Sequence, residues 1–402
     1  MNAGTQAKVQ PSRSIEPYPI EFSGSGGEFF RVWIVNVLLT VVTLGLYTPF
    51  ARRRTAQYFY GNTIVADRPL EFTAQQRRMV VGFLILALLY IIKNVLAQTG
   101  QDGAVTAMML AGAALAPYFW ASAIRFRFNA TRWRGVRLQL TASWFEIYRA
   151  SWPVFVIALV WGAAVSVIGW TLPEDEPITQ AGESIPALLA AVACALIVSF
   201  LCMARLEFNY KSLMVERGRI GGQPGRWKPV FGDFLRIWVA TLGIFLLTLL
   251  VIGLAIAAAV GGSFMLLNKP QDAGPEAVLF IIATMVVSVL LLFLATAPAR
   301  AYREARMFQL VWNNIGVSHM ARFKCKLRVG RYVGLRLTNI LLTLLTLGFY
   351  RPFARVSEYR MKAESVTLHV KGGPDQLANQ LAREEHGLGD AIADAAGLDL
   401  VA

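Results

Sequence analysis

The sequence predicts an all-α polytopic membrane protein with six full transmembrane helices, two terminal re-entrant or short spanning segments, and small cytoplasmic β-hairpins between helix pairs. Three observations support this fold class. The chain of 402 residues is 55% hydrophobic and 16% charged, which is more apolar surface than one soluble core can bury. It contains six apolar runs that are long enough to span a bilayer. Its positive charges lie between pairs of these runs.

Each of the six runs holds roughly 20 mainly apolar residues, the length that crosses the hydrocarbon core. They lie at about 79–97, 104–124, 151–171, 185–204, 234–261 and 277–299. Two further candidates, about 29–50 and 332–353, are weaker. The second has 14 uncharged residues between Arg336 and Arg351, which is too short unless Arg336 extends its side chain to the interface. The prediction is therefore six to eight spans.

Lysine and arginine residues predict the orientation. They number 6, 6, 6 and 8 in segments 51–78, 125–150, 205–233 and 300–331. They number 0, 0 and 1 in loops 98–103, 172–184 and 268–276. By the positive-inside rule, the four basic segments are cytoplasmic. Because this topology accounts for most of the net charge of +14, we predict membrane lipids as partners and no nucleic-acid binding.

The two ends of the chain carry near-copies of one motif. Residues 36–52 read N-V-L-L-T-V-V-T-L-G-L-Y-T-P-F-A-R, and residues 339–355 read N-I-L-L-T-L-L-T-L-G-F-Y-R-P-F-A-R. The offset is 303 residues and 12 of the 17 positions are identical, which indicates an internal repeat. We therefore divide the chain into a polar N-terminal segment (1–28), an integral membrane domain (29–373) with terminal repeats 29–62 and 332–365, and an acidic tail (374–402).

The end motif also indicates a family. F-x-G-x-G-G-E-F-F begins at Phe22, the repeated motif and Y-F-Y-G-N-T follow it, and the chain ends in the acidic G-D-A-I-A-D-A-A-G-L-D-L from Gly389. Over nearly the whole chain these motifs resemble the YjgN-like family of bacterial inner-membrane proteins, which is defined as domain of unknown function 898. The resemblance implies multi-pass residence in the bacterial inner membrane. It implies no activity, cofactor or catalytic residue.

The orientation of the two end motifs is a separate question. If both segments spanned the membrane, the two copies would run in opposite directions, although each ends in P-F-A-R and further basic residues that favour the cytoplasm. A re-entrant or kinked half-span removes this conflict. Gly45 and Gly348 permit an irregular backbone, and Pro49 and Pro352 cannot donate a hydrogen bond to the preceding turn. Re-entrant and fully spanning segments both stay open.

Polar residues follow one helix face in each copy, at positions i, i+4 and i+7. They are Asn36, Thr40 and Thr43 in the first copy, and Asn339, Thr343 and Thr346 in the second. One interpretation is helix packing, with threonines bonding back to the i−4 carbonyl. The other is that the two stripes face each other and line a polar path, as in repeat-built transporters. Tyr47 and Tyr350 are then gate or interface residues, or else aromatic anchors.

Segments between the helix pairs alternate with a period of two around Asn, Gly or Asp, which predicts β-hairpins. The alternation begins at Tyr58, Arg125 and Met307, and a weaker case lies within 205–233. The arginines at and after P-F-A-R are candidate contacts for lipid headgroups. These are Arg52, Arg53, Arg54 and Arg355.

No catalytic or metal-binding pattern stands out. His319, His369 and His386 lack carboxylates or cysteines at ligand spacing, and no nucleophile and base recur together. We predict no enzyme, no cofactor and no metal. Two function classes remain. The first is a transporter or channel for a small neutral or anionic solute. The second is a non-transporting membrane module that binds anionic lipid or a protein partner through its basic cytoplasmic face.

Overall fold

Ten short strands close into one antiparallel β-barrel. The computed structural model of the protein describes residues 15–171, 185–267, 275–317 and 321–371, together with Pro374 and Leu377. The strands are β1 (Ile15–Phe22), β2 (Thr63–Val65), β3 (Arg68–Phe72), β4 (Thr131–Trp133), β5 (Val136–Leu140), β6 (Gly218–Ile220), β7 (Gln223–Trp227), β8 (Ile315–Val317), β9 (Ala321–Cys325) and β10 (Val366–Lys371). Around the barrel their order is β1-β10-β9-β8-β7-β6-β5-β4-β3-β2, and β2 pairs with β1 to close it.

Helices leave the barrel and return to it as hairpins. The helices are α1 (Gly26–Val42), α2 (Thr48–Gly61), α3 (Gln76–Gln98), α4 (Asp102–Ala130), α5 (Trp144–Ala150), α6 (Trp152–Thr171), α7 (Ile185–Glu216), α8 (Phe231–Leu267), α9 (Pro275–Leu294), α10 (Ala297–Asn314), α11 (Val329–Leu345) and α12 (Arg351–Ala363). The described chain therefore repeats one unit five times: a strand, a helical hairpin, and a second strand that pairs with the first.

The same backbone hydrogen bond recurs in four of these units. It joins the amide after the first strand to the carbonyl before the second strand. The donor and acceptor pairs are Ser23 and Asn62, Thr73 and Ala130, Thr141 and Arg217, and Lys326 and Ser365. The two end motifs are thus the first and last members of a fivefold series.

The predicted all-α fold with separate hairpins is wrong. Strand pairs do occur where the sequence alternates, but they join edge to edge into one barrel. The barrel closes through β1 and β10, which pair along Ile15 to Pro19 and Thr367 to Lys371. The prediction failed because several strands are only three residues long and the closing partners lie at opposite ends of the chain. The segment taken as a polar N-terminus contributes β1.

Two-residue turns connect neighbouring units. Ala66–Asp67, Arg134–Gly135 and Gly221–Gly222 all have positive φ, with values between 47° and 85°. Two successive residues of positive φ are typical of type I′ turns, whose twist matches that of the flanking strands. These turns fix the register of the three hairpins that they close.

Strand-to-helix junctions use side-chain caps. Ser25 with Glu28, and Ser143 with Glu146, form capping boxes at the starts of α1 and α5. Such a box satisfies two free amide donors at a helix start. The helices therefore begin immediately beyond the barrel, which fixes where each hairpin leaves it.

Neighbouring helical hairpins pack into a ring. α2 contacts α3, α4 contacts α5, α7 contacts α8 and α10 contacts α11. α12 packs on α1, so the helical layer closes at the same place as the barrel. This ring brings the first and last units side by side.

Among the described residues, five helices are long and apolar enough to cross a membrane. They span Gln76–Gln98, Asp102–Ala130, Pro186–Glu216, Phe231–Gly261 and Ile282–Asn314. The pair Trp144–Ala150 and Trp152–Val167, bent by 45°, gives a sixth if it is one span. They coincide with the six predicted apolar runs. Large exposed side chains such as Leu159 and Leu254 cover them, as expected for surfaces that face lipid.

The barrel interior holds an apolar cluster. Trp133, Val136, Leu368 and Val370 are buried together with Leu377, which follows the last strand. Charged residues alternate with these side chains and point outward. The outer wall of the barrel is consequently polar, while the barrel core is packed with hydrocarbon. The acidic loop 172–184 and the tail beyond Leu377 lie outside the described residues.

A candidate anion-binding cavity between the first two helical hairpins

Each end motif folds into a short helical hairpin rather than one straight helix over 29–50 or 332–353. In the first hairpin the chain reverses at Leu44 (φ 48°) and Gly45 (φ 92°). In the second it reverses at Leu347 (φ 50°) and Gly348 (φ 95°). Pro49 and Pro352 follow in the first turns of α2 and α12, where a missing amide is tolerated. Both ends of each segment therefore lie at the barrel.

The threonines of the two stripes hydrogen-bond within their own hairpins. The Thr40 and Thr343 hydroxyls donate to the carbonyls of Asn36 and Asn339, both at 2.6 Å. The Thr43 and Thr346 hydroxyls donate to Leu39 and Leu342, both at 2.7 Å. They also accept from the Tyr47 and Tyr350 amides, at 3.0 and 2.9 Å. These bonds hold each turn together, as the packing interpretation expects.

The two asparagines have different surroundings. The Asn339 amide nitrogen lies 3.3 Å from the Ala354 carbonyl and 3.1 Å from both Ser357 Oγ and Glu358 Oε1. Among the described residues, the Asn36 amide nitrogen donates to the Ala51 carbonyl alone, at 3.4 Å. The buried Asn36 Oδ1 accepts no hydrogen bond from the described residues. Each asparagine faces its own returning helix, so the stripes do not meet face to face.

Asn36 and Thr40 line a cavity of 1120 Å³ between the first two hairpins. We call it the arginine cavity because four arginines reach it. Arg52 comes from α2, Arg78 from the first turn of α3, Arg127 from the last turn of α4, and Arg355 from α12. Both P-F-A-R arginines therefore converge on one site. Within the described part of the chain, none of the four guanidinium groups forms a salt bridge.

The lining changes from basic to apolar along α3. Arg78 is followed by Met79, Phe83, Ile85 and Leu86, all of which line the cavity. Ile85 and Leu86 are 51% and 58% exposed, and they lie in a helix apolar enough to cross a membrane. The arginine cavity is thus polar near the barrel and open to an apolar surface further along the helices.

A second cavity adjoins the first. It has a volume of 500 Å³ and shares Arg78 and Phe126 with the arginine cavity. Its remaining walls include Arg132 and Arg137 on the outer face of the barrel, and polar side chains from Thr73 to Thr141. We call it the barrel-side pocket.

Sequence reasoning found part of this site. Arg52 and Arg355 were among the candidate headgroup contacts, and both line the arginine cavity. Arg53 and Arg54 do not line it; the Arg54 guanidinium lies 3.4 Å from the Tyr47 hydroxyl. Arg78 and Arg127 were missed because they look like ordinary charges flanking apolar runs. The roles assigned to all of these residues stay predictions.

In the described ranges, no group of three or more His, Cys, Asp or Glu side chains is placed to hold a metal ion. The arginine cavity is lined by hydrogen-bond donors of positive charge, which suit an anion instead.

Comparisons with known proteins identify a family and several curated relatives. The family described as "Bacterial protein of unknown function (DUF898)" matches residues 17–395. "Inner membrane protein YjgN" of Salmonella typhimurium is 25% identical over 160 residues, which is 40% of this chain and 40% of that protein. Two Escherichia coli proteins of the same name are each 24% identical, over 40% and 46% of this chain and 40% and 45% of their own lengths. No solved structure matches the chain.

Each matched region thus spans less than half of its curated relative. The family match over residues 17–395 confirms the predicted family. The relatives' names, together with the candidate membrane-spanning helices, confirm the predicted location in the bacterial inner membrane.

Proposed function

The chain belongs to the DUF898 family of bacterial proteins of unknown function, and we propose that it is a non-transporting inner-membrane protein that binds an anionic phospholipid in the arginine cavity. The single observation that carries this proposal is the convergence on one cavity of four arginines that form no salt bridge with any described residue. Arginine pairs with phosphate through two parallel hydrogen bonds, which adds geometric specificity to charge.

The shape of the cavity favours a lipid over a small soluble anion. Its arginines lie near the barrel, and its apolar wall continues along α3 through Met79, Phe83 and Leu86. A phospholipid has the same order of parts, with phosphate first and hydrocarbon beyond it. A volume of 1120 Å³ is slightly above the usual range for ligand pockets, which is roughly 300–1,000 Å³. It accommodates a headgroup and the first part of the acyl chains.

The orientation predicted from charge agrees with this occupant. The basic segments adjoin the barrel, and the positive-inside rule places them in the cytoplasm. Anionic lipids give the cytoplasmic leaflet a negative surface potential that attracts arginine near the membrane. The arginine cavity then opens at the headgroup level of that leaflet.

Transport of a small solute has less support. The threonine hydroxyls of both stripes already hydrogen-bond within their own hairpins. Asn36 and Asn339 face different helices, α2 and α12. A polar path between the stripes would require these groups to face one another.

Titration of the purified full-length protein with lipid tests the proposal. In detergent, fluorescent phosphatidylglycerol and phosphatidylcholine with the same acyl chains are compared for affinity. We expect phosphatidylglycerol to bind more tightly. Arg52→Ala and Arg355→Ala should each weaken its binding roughly tenfold, since a hydrogen bond to a charged group contributes about 1.5 kcal/mol or more.

Arg54→Ala is the matched control. It removes the same charge from the same helix, but Arg54 does not line the cavity. Its phosphatidylglycerol affinity should equal that of the parent protein. Equal affinity for the two lipids, or an equal loss in Arg54→Ala, would contradict the proposal. Arg52→Lys, which keeps the charge, should retain part of the binding and shows that the protein remains folded.

A further inference from the structure

We propose that the barrel-side pocket binds a second, terminal phosphate on the headgroup of the lipid held in the arginine cavity, and so selects a phospholipid whose headgroup ends in a phosphomonoester. This inference rests on the proposed function of the neighbouring cavity. The pocket adjoins that cavity through Arg78 and Phe126, so one ligand can extend from one space into the other.

Two opposed arginines carry the argument. Arg132 on β4 and Arg137 on β5 are direct cross-strand partners. Both point outward, because they alternate with the buried side chains of Thr131, Trp133 and Val136. Like charges directly opposite each other on a sheet are destabilising. A bound anion between them removes that repulsion.

Neighbouring protein groups do not neutralise the pair. Glu71 is the cross-strand partner of Arg132 on its other side, yet neither arginine forms a salt bridge within the described residues. The Nε atom of Arg132 is buried and makes no hydrogen bond in that part of the chain. An unsatisfied buried donor on a charged group is costly. Arg132 also lines the pocket, where its guanidinium group can donate to a phosphate oxygen.

The other lining groups suit a phosphate and not an acyl chain. Gln75, Asn129, Gln139 and Thr141 surround the arginines, and they offer amide and hydroxyl donors. The pocket lies against the outer wall of the barrel, away from the exposed apolar side chains further along α3. A terminal phosphomonoester fits there because it carries no hydrocarbon of its own.

The size of the pocket agrees with this group. At 500 Å³ it holds a phosphate with part of the glycerol that carries it, and it leaves the first phosphate in the arginine cavity. Arg78 lines both spaces and is placed to contact both phosphates.

The test uses the full-length protein in detergent and three lipids with matched chains. These are phosphatidylglycerol, phosphatidylglycerol phosphate with its terminal phosphomonoester, and phosphatidylcholine. We expect phosphatidylglycerol phosphate to bind about tenfold more tightly than phosphatidylglycerol, the gain of one further charge-assisted contact. Arg132→Gln and Arg137→Gln should each remove this gain and leave phosphatidylglycerol binding unchanged.

Arg219→Gln is the matched control. Arg219 lies on β6 opposite Gln139 and does not line the pocket, so this variant should keep the tenfold preference. The melting temperature of lipid-free protein gives a second readout. Arg137→Gln should raise it, because it removes one of two opposed positive charges and leaves Arg132 opposite Glu71. A structural role for Arg137 predicts the reverse.

The outcomes separate the two proposals. If phosphatidylglycerol phosphate and phosphatidylglycerol bind equally, this inference is overturned and the proposed function stands. If neither binds more tightly than phosphatidylcholine, the proposed function itself fails. A titration with inorganic phosphate tests whether the lipid supplies the anion. If free phosphate binds as tightly as the lipid and abolishes the tenfold preference for phosphatidylglycerol phosphate, the lipid assignment is overturned.

Discussion

The two end motifs fold into the same hairpin, but the first lines the arginine cavity with both of its helices, whereas the second is represented in the lining by Arg355. Their turns have the same φ values within a few degrees, and their threonines make the same hydrogen bonds. The copies differ at the positions that surround the asparagine, where Arg54 corresponds to Ser357 and Thr55 to Glu358. Thr55 in the first copy lines the cavity, whereas Glu358, 303 residues later, accepts a hydrogen bond from Asn339.

Under the proposed function, this difference gives the two copies of the hairpin different roles. In the last unit a carboxylate satisfies the asparagine. In the first unit the equivalent position is a neutral threonine. Within the described chain the Asn36 amide nitrogen donates to the Ala51 carbonyl, and Arg52 forms no salt bridge. In the proposed site, the neutral threonine at position 55 leaves Arg52 available to an external anion.

Thr55→Glu should give the largest effect, because it makes the first copy resemble the second. The new carboxylate lies three residues from Arg52 and can pair with it on the helix surface. It also repels a phosphate: unit charges about 8 Å apart at an effective dielectric constant of 20 interact by roughly 2 kcal/mol, or about thirtyfold in affinity. Titration with phosphatidylglycerol measures the loss.

Thr55→Gln is the control for this prediction. It has nearly the same size as glutamate and no charge. It should retain most of the binding of the parent protein. If Thr55→Gln and Thr55→Glu lose affinity equally, crowding rather than charge distinguishes the two copies.

Much of this architecture could be predicted from the sequence, because helix length and charge are local signals. The six apolar runs and the duplicated ends were visible in that way. β1 was not, because Pro17 and Pro19 argue against a strand, and its partner β10 lies at the other end of the chain. The five repeated units were not predicted, because the middle units share the order of strands and helices but lack the P-F-A-R motif.

The cavity was harder to predict from the sequence than the hairpins were. Arg78 and Arg127 lie at helix ends, where arginine usually sets topology. They share a cavity with Arg52 and Arg355 because the helices form a ring, in which α1 packs between α2 and α12. Convergence of distant residues depends on that packing and leaves no local signal.

The asparagines should differ in their effect on stability. Asn339 is 2% exposed and lies within hydrogen-bond distance of three acceptors. Asn339→Ala should lower the free energy of unfolding by about 1.5 kcal/mol, because buried acceptors lose their donor. Asn36→Ala removes only one long contact and should cost less, about 0.5 kcal/mol. Chemical denaturation in lipid-free detergent measures both values, and equal losses would contradict the distinction between the copies.

Substitution of the turn glycine should lower the free energy of unfolding equally in the two hairpins, which tests the feature that they share. Gly45 and Gly348 have φ values of 92° and 95°, a region that favours glycine. Alanine at either position should lower the free energy of unfolding by about 1 kcal/mol. Gly334→Ala is the control, since Gly334 lies inside α11 with open space around it and alanine there favours the helix by up to about 1 kcal/mol. Unequal losses at Gly45 and Gly348 would mean that the two hairpins are not equivalent even at the turn.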